Sequence, residues 1–220
     1  MNSTEQEVVV HIPLTELHPF PDHPFKVRDD EAMQETAASI KEYGVLVPAL
    51  ARPREDGGYE LIAGHRRKHG CELAGLDTMP VIVRNIDRDT ATIIMVDSNL
   101  HREKILPSEK AFAYKLKMDA MSRQGQRTDL TSTQVGRKLE TAEMIGQQSG
   151  ESKNQVRRYI RLTELIPEIL KMVDDGKIAL TPAVELSYLR KQEQRDLLET
   201  MESEDCTPSL SQAMQLKKLS

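Results

Sequence analysis

Leu61-Ile62-Ala63-Gly64-His65-Arg66-Arg67-Lys68-His69-Gly70 decides how the first half of this chain folds. A short apolar run of β type meets a glycine and passes straight into a cationic helix start. Gly64 lets the backbone come close to a ligand, and the amides after it open a helix, where N–H groups lack a carbonyl one turn earlier. Arg66 and Arg67 add guanidinium forks shaped for phosphate oxygens. The stretch is either a phosphate-holding turn or an ordinary strand-to-helix turn whose arginines face water. By itself it does not choose between the two.

Working outward, residues 45–52 and 59–63 are short β-type runs on either side of Arg54-Glu55-Asp56-Gly57-Gly58, whose Asp-Gly pair signals a hairpin. Upstream, Val8-Val9-Val10-His11-Ile12-Pro13-Leu14 is β-branched and ends at a proline, which predicts a first strand. A proline-rich link follows over 19–24. Asp29 and Asp30 then precede a predicted helix over 31–43, with Met33, Ala37 and Ile40 at helical spacing and Gly44 as the stop. Downstream, a helix over 66–74 stops at Gly75, and Met79-Pro80-Val81-Ile82-Val83 returns as a strand, completing a strand, helix, strand unit. Residues 87–101 are predicted helical, with Ile93, Ile94, Val96 and Leu100 as the apolar side.

Beyond that point no strand signal remains. Pro107-Ser108-Glu109 opens a helix through Met121, the polar, glycine-containing stretch 123–132 suits an exposed loop, and Pro167 and Pro182 each mark a helix start. The expected fold class is α+β: an amino-terminal domain over residues 1–105, a small mixed sheet with helices, followed by an all-α domain over 106–220.

Composition agrees with two small domains, since 220 residues at 38% hydrophobic and 30% charged content can fill two modest cores. With no tryptophan, 4% aromatics and ten methionines, those cores must be aliphatic and Met-filled. No apolar run approaches the roughly twenty residues that cross a bilayer, and no basic-then-apolar leader opens the chain, so a cytoplasmic protein with no membrane partner is expected. Cys71 and Cys206 lie far apart without a C-x-x-C partner and are expected to be plain thiols. The net charge of -5 does not mark a nucleic-acid binder, so local charge has to decide that question.

Local charge speaks at residues 142–163. Ala142-Glu143-Met144-Ile145-Gly146-Gln147-Gln148-Ser149-Gly150 followed by Glu151-Ser152-Lys153-Asn154-Gln155-Val156-Arg157-Arg158-Tyr159-Ile160-Arg161-Leu162 has helix-turn-helix spacing. Gly146 permits a close crossing, Gly150 turns the chain, and Val156, Tyr159 and Ile160 would face inward. Ser152 and Gln155 form an S-x-x-Q capping box. Ser152, Lys153, Asn154, Gln155, Arg157, Arg158 and Arg161 are then the candidate DNA-binding residues, with no acid between Ser152 and Thr163. Cations there can contact phosphates through counterion release, while Asn and Gln can read base edges in the major groove. The alternative is an ordinary helix pair with a solvated basic face.

Two further segments complete a pattern: Ser98-Asn99-Leu100-His101-Arg102-Glu103 and Ile105-Leu106-Pro107-Ser108-Glu109-Lys110-Ala111. In order and spacing, these and the preceding motifs resemble the ParB family of chromosome and plasmid partition proteins across nearly the whole chain. Gly64-His65-Arg66-Arg67 is similar to that family's G-E-R-R box, the first of the two segments to its E-N-L-Q-R box, and the second to its L-x-P-x-E-x-A segment. The resemblance implies a CTP site with Mg2+, in a homodimeric clamp on double-stranded DNA that loads at a centromere-like site, with a ParA-type ATPase as a possible partner. It implies nucleotide-binding roles for Gly64, His65, Arg66, Arg67, Asn99 and Arg102, a metal-positioning role for Asn99, and a place near the base for Lys26 in Pro24-Phe25-Lys26-Val27-Arg28. No catalytic residue is assigned.

Departures from the pattern matter equally. His65 and Ser98 stand where the family has glutamates, which removes carboxylates that would coordinate Mg2+ or support hydrolysis. Binding can survive through arginines and amides; weak CTP hydrolysis is left open. Met1 to Leu14 holds no clear match to the arginine-rich segment that meets the ATPase. The chain ends at Ser220, leaving little room for the family's carboxy-terminal dimerisation domain, which is expected to be absent or cut away. Rival readings are a DNA-binding regulator with a decayed pocket and a phosphotransferase or nuclease on the similar sulfiredoxin-like fold. In that fold the comparable turn carries a cysteine, and none stands here. His65 and His69, four apart, read as a helix-surface pair more readily than as metal ligands.

Overall fold

The computed structural model describes residues 8–102, 104–128 and 134–220. It divides into two compact units, Met1–Asn99 and Leu100–Ser220.

In the first unit a five-stranded mixed sheet runs in the order β1-β5-β3-β4-β2. Its strands are β1 Val9–Pro13, β2 Leu17–Pro19, β3 Ala49–Pro53, β4 Tyr59–Ala63 and β5 Thr78–Val83. The hairpin β3–β4 is antiparallel and closes through Gly57 and Gly58, both at positive φ. β3 pairs parallel with β5, so the crossover between these neighbours carries β4 and the helix after it. The strand, helix, strand unit is therefore not a simple βαβ: β4 and β5 lie on opposite sides of β3. The proline-rich link also begins within a strand, because Leu17, His18 and Pro19 pair parallel with Tyr59, Glu60 and Leu61 at the sheet edge. An edge position tolerates the proline.

Among the described residues three α-helices accompany the sheet. α1 spans Glu31–Tyr43, capped where the Asp30 carboxylate accepts from the Met33 amide at 2.9 Å and stopped at Gly44. α2 spans His65–Ala74 and α3 Arg88–Leu100, the latter opened by Asp87, which accepts from the amides of Asp89 and Thr90 at 2.9 and 3.1 Å. Ile12, Leu14, Leu17, Ile40, Ala49, Ala51, Leu61, Cys71, Met79 and Val81 form the core. Burial pushes the Cys71 thiol pKa up, followed by the charge of Glu72, which suits an inert core thiol.

The second unit is helical: α4 Pro107–Thr128, α5 Gln134–Ser149, α6 Lys153–Arg161, α7 Pro167–Asp174, α8 Leu180–Leu186, α9 Lys191–Ser203 and α10 Leu210–Leu219. α4 overruns the loop predicted from Arg123. Arg and Gln are good helix formers, and one glycine costs only about 1 kcal/mol in a helix. The rest of that predicted loop, from residue 129, lies outside the described residues. α4 is opened by the Asp174 carboxylate, which accepts from the Ser108 amide at 2.9 Å, and by Glu109, which accepts from the Leu106 amide at 3.0 Å. Fully buried Gln194 accepts from the Ile166 amide at 2.8 Å and donates to the carbonyls of Leu189 and Glu164 at 2.9 and 3.1 Å. One side chain thus satisfies three backbone groups that would otherwise be stranded.

Candidate functional site

Gly64 caps α2 from a backbone that a larger residue resists twice over. Its φ is 112°, and a Cβ there would lie 2.8 Å from the Ala49 Cβ on β3. No side chain caps the helix. The turn therefore delivers the first amides of α2 from a fixed corner of the sheet, as an anion site requires.

The arginines behave differently from each other. Arg67 is half-buried and donates to the carbonyls of Val47 and Pro48 at 2.6 and 2.5 Å, so it braces the loop between α1 and β3; burial lowers its pKa. Arg66 reaches the Thr36 hydroxyl of α1 at 3.5 Å, a contact too long to hold it firmly. His65 packs against His23 with the rings tilted by 41° and their centroids 3.9 Å apart, and His23 meets Phe25 edge-on at 5.7 Å. His69 links the carboxylates of Asp29 at 2.5 Å and Glu72 at 3.2 Å, and Lys68 also bonds Glu72, at 2.8 Å. Those bonds, to Asp29 first and then Glu72, hold the His69 pKa above the ordinary histidine value. Pro19, Val27, Asp29, Leu61, His65, Lys68, His69 and Glu72 enclose a cleft of about 320 Å3, within the size range of small-molecule sites.

Of the predicted nucleotide residues of the first unit, His65 lines this cleft, whereas Lys26 and Asn99 do not. Lys26 is exposed on the loop before α1. Asn99 is buried near the end of α3 and donates to the Met95 carbonyl of its own helix at 2.8 Å; Ser98 donates to the same carbonyl. Arg102 follows α3 at the start of the second unit, and Glu103 lies outside the described residues. To an anion the turn offers the first amides of α2 and the weakly held Arg66 guanidinium. Mg2+ held by protein does not fit: the turn contributes no carboxylate, Asn99 is turned into its helix, and among the described residues no three His, Cys, Asp or Glu side chains converge on a metal position. Sequence reasoning missed His23, Asp29 and Glu72. Only the four-residue spacing of His65 and His69 hinted that one helix face lines a cleft.

In the second unit the helix crossing is built around Gly146. A Cβ there would lie 2.5 Å from the Glu151 carbonyl oxygen, and the Glu151 amide donates back to the Gly146 carbonyl at 2.9 Å. Gly150 turns the chain at φ 70°. Ala142, Ile145, Val156 and Tyr114 form the buried centre, with Tyr159 and Ile160 packed against it. Lys110 of α4 pins the turn through Glu151 at 2.6 Å. Burial disfavours its ammonium, but the bonded carboxylate outweighs this and holds the Lys110 pKa above the ordinary lysine value.

α6 keeps half of its predicted cap: the Ser152 hydroxyl accepts from the Gln155 amide at 3.1 Å, without the reciprocal bond. Its cations divide. Ser152, Asn154 and Arg157 are exposed. Lys153 lies 3.6 Å from Glu143 on α5. Arg158 is half-buried, bonding Thr181 of α8 at 2.5 Å and Gln155 at 3.3 Å. Arg161 does not belong to a free outward set: it donates to the Ser187 hydroxyl and carbonyl at 3.1 and 2.8 Å.

Together the units define a class, a small mixed-sheet module with a phosphate-type turn joined in one chain to a helix-turn-helix module. Comparison with known proteins narrows it. The ParB N-terminal domain matches residues 1–100 and the ParB HTH domain residues 106–214. The chromosome-partitioning protein Spo0J of Thermus thermophilus is 34% identical over 84% of this chain and 62% of that protein. Stage 0 sporulation protein J of Bacillus subtilis is 33% identical over 80% of this chain and 56% of that protein. Among solved structures, a C-terminally truncated ParB from Caulobacter crescentus complexed to the centromeric parS site superposes with TM-score 0.53 at 24% identity, covering 96% of this chain and all of that one. The chain belongs to the ParB family. It spans about 60% of the length of the relatives it matches.

Proposed function

We propose that this protein is a DNA-binding partition protein that recognises a centromere-like site through α6 and is regulated by CTP held at the Gly64 turn. One observation carries the DNA reading: α6 is seated on α5 at the Gly146 crossing, with Asn154 and Arg157 exposed on one side. Arg157 then contacts phosphate, and Asn154 is positioned for a base edge. The parS site bound by the Caulobacter relative supplies the first duplex to try.

The CTP reading rests on the Gly64 geometry, the first amides of α2, Arg66 and the adjacent cleft. CTP when bound supplies the signal that converts a loading state to a clamp; this chain's part is to hold its phosphates at the turn and its base in the cleft. Homodimerisation, a ParA-type ATPase partner and a nucleoid location follow from the same reading. Domain limits at 1–105 and 106–220 are proposed with it.

A second reading, a DNA-binding regulator that uses no nucleotide, is favoured by Arg67, which is spent on the Val47 and Pro48 carbonyls, and by the absence of a carboxylate at positions 65 and 98. Titration with CTP, ATP and GTP, with and without a parS duplex, separates them. CTP-selective binding and longer retention on closed circular DNA carrying parS support the clamp. A site-specific complex with no nucleotide binding supports the regulator, and no preference for parS over scrambled DNA overturns both.

A further inference from the structure

By helical spacing Asn154, Arg157, Arg158 and Arg161 form one stripe of α6. The structure splits it. Arg157 stays in solvent, while Arg161, one turn on, is turned toward the end of α8. Its Nε donates to the Ser187 hydroxyl at 3.1 Å and a terminal nitrogen to the Ser187 carbonyl at 2.8 Å. Ser187 is itself 2% exposed and donates to the Val184 carbonyl at 2.7 Å. The Arg161 guanidinium also lies 4.1 Å from the centre of the Tyr188 ring. Lys217 of α10 stands 3.7 Å from the same ring and pairs with Glu185 of α8 at 2.8 Å. One aromatic ring therefore collects a cation from α6 and a cation from α10, with a carboxylate of α8 balancing the second.

We propose that Arg161 is a positioning residue for DNA recognition: it fixes the end of α6 to α8 through Ser187 and Tyr188, and does not contact DNA. The inference rests on the reading of α6 as the recognition helix. The fork geometry is what the place needs, since two acceptors on one residue and a ring beneath have to be met at once, and a lysine ammonium cannot span them. Arg158 already ties α6 to Thr181 at the start of α8, and a helix held at that point alone could still pivot on its apolar face. Tethering its last turn fixes the angle at which Asn154 and Arg157 meet the duplex, and base readout is sensitive to that angle while non-specific phosphate attraction is not.

The test compares Arg161→Gln, Arg161→Lys, Tyr188→Leu and Arg157→Gln in the full chain, each checked as folded by circular dichroism. Binding to a parS duplex and to a scrambled duplex is measured across a KCl series. Arg161→Gln is expected to lower parS affinity about tenfold while scrambled-duplex affinity and the salt slope stay unchanged, because no phosphate contact is lost. Arg161→Lys gives the same loss, and Tyr188→Leu lowers parS affinity in a way that does not add to Arg161→Gln. Arg157→Gln is the control for the recognition helix itself, flattening the salt slope by about 0.9. If Arg161→Gln flattens the slope by the same amount, or Arg161→Lys restores parS affinity, the positioning role is wrong and Arg161 touches the backbone. If Arg157→Gln leaves both affinity and slope intact, the α6 reading fails first. Should Arg161→Gln not fold, Tyr188→Leu decides alone: unchanged parS affinity overturns the proposal.

Discussion

Replacing Gly146 with alanine tests the helix-turn-helix geometry at its tightest point. The new Cβ would sit 2.5 Å from the Glu151 carbonyl oxygen, where real Cβ contacts seldom fall below 3.4 Å, and 3.3 Å from the Lys153 amide nitrogen. Something must move by most of an ångström, and what must move is backbone. Overpacking costs about 1–3 kcal/mol, and a backbone obstacle belongs in the upper half of that range. Displacing residue 151 also disturbs the Ser152 cap, worth about 1 kcal/mol. Alanine returns about 1 kcal/mol over glycine within a helix, leaving a net loss of about 2–3 kcal/mol. Gly70→Ala in α2 is the matched comparison. There the Cβ would lie 2.7 Å from the Ile40 Cδ1, the end of a side chain that can rotate away, so the propensity gain largely cancels the strain and the net loss stays under about 1 kcal/mol. Because the two units need not unfold together, the readout is native-state hydrogen exchange of the α6 and α2 amides. A Gly146→Ala chain whose α6 amides are as protected as wild type, or a Gly70→Ala loss exceeding the Gly146→Ala loss, refutes the reasoning.

Three more outcomes are expected. Gln194→Leu strands the Ile166 amide and the carbonyls of Leu189 and Glu164, so denaturant unfolding of the second unit should show a loss of about 2–4 kcal/mol, buried unpaired groups costing about 1–3 kcal/mol each with partial relaxation; a loss below that of an exposed substitution would contradict the assigned bonds. His69 has a raised folded-state pKa, so its contribution to the first unit is fully present below the ordinary value of 6.5 and fades as pH rises through the folded value. Thermal melts of wild type against His69→Gln should therefore converge as pH climbs above that point, and a gap that widens instead would reverse the sign. Arg67→Ala removes the brace on the Val47 and Pro48 carbonyls beside the Gly64 turn and should weaken CTP binding while leaving short parS-duplex recognition intact, and equal loss of both by calorimetry and gel shift would break the division of labour between the units.

Local signals were readable where neighbours in sequence are also partners in space. Asp30 and Gly44 bound α1 at the residues their chemistry suggests, and the Asp56-Gly57 pair closes the β3–β4 hairpin. β2 was not readable, because three residues ending in Pro19 form a strand only when β4, forty-two positions later, offers its edge in the Leu17–Tyr59 register. The same distinction governs the sites. Gly64 and the Gly146 crossing were visible as glycines at sharp changes of pattern. Arg161 looked like its neighbours on the helix, since Ser187, twenty-six residues on, is what turns it away. Arg67 likewise looked free until the Val47 and Pro48 carbonyls were seen to claim it. Cations are the residues whose destination sequence predicts least, because long side chains choose among distant acceptors.

The pairing of β1 with β5 sets a schedule for the growing chain. Val9 waits for Ile82, seventy-three residues later, before its backbone groups find their partners. At about 5–20 residues per second of synthesis, that is roughly 4–15 s during which a valine-rich strand is outside the ribosome with no native neighbour. Pro13 shortens the segment that a foreign strand could pair with. The first unit therefore closes its β1–β5 ladder only after residue 82 has been made, whereas the helices of the second unit can form as each is made.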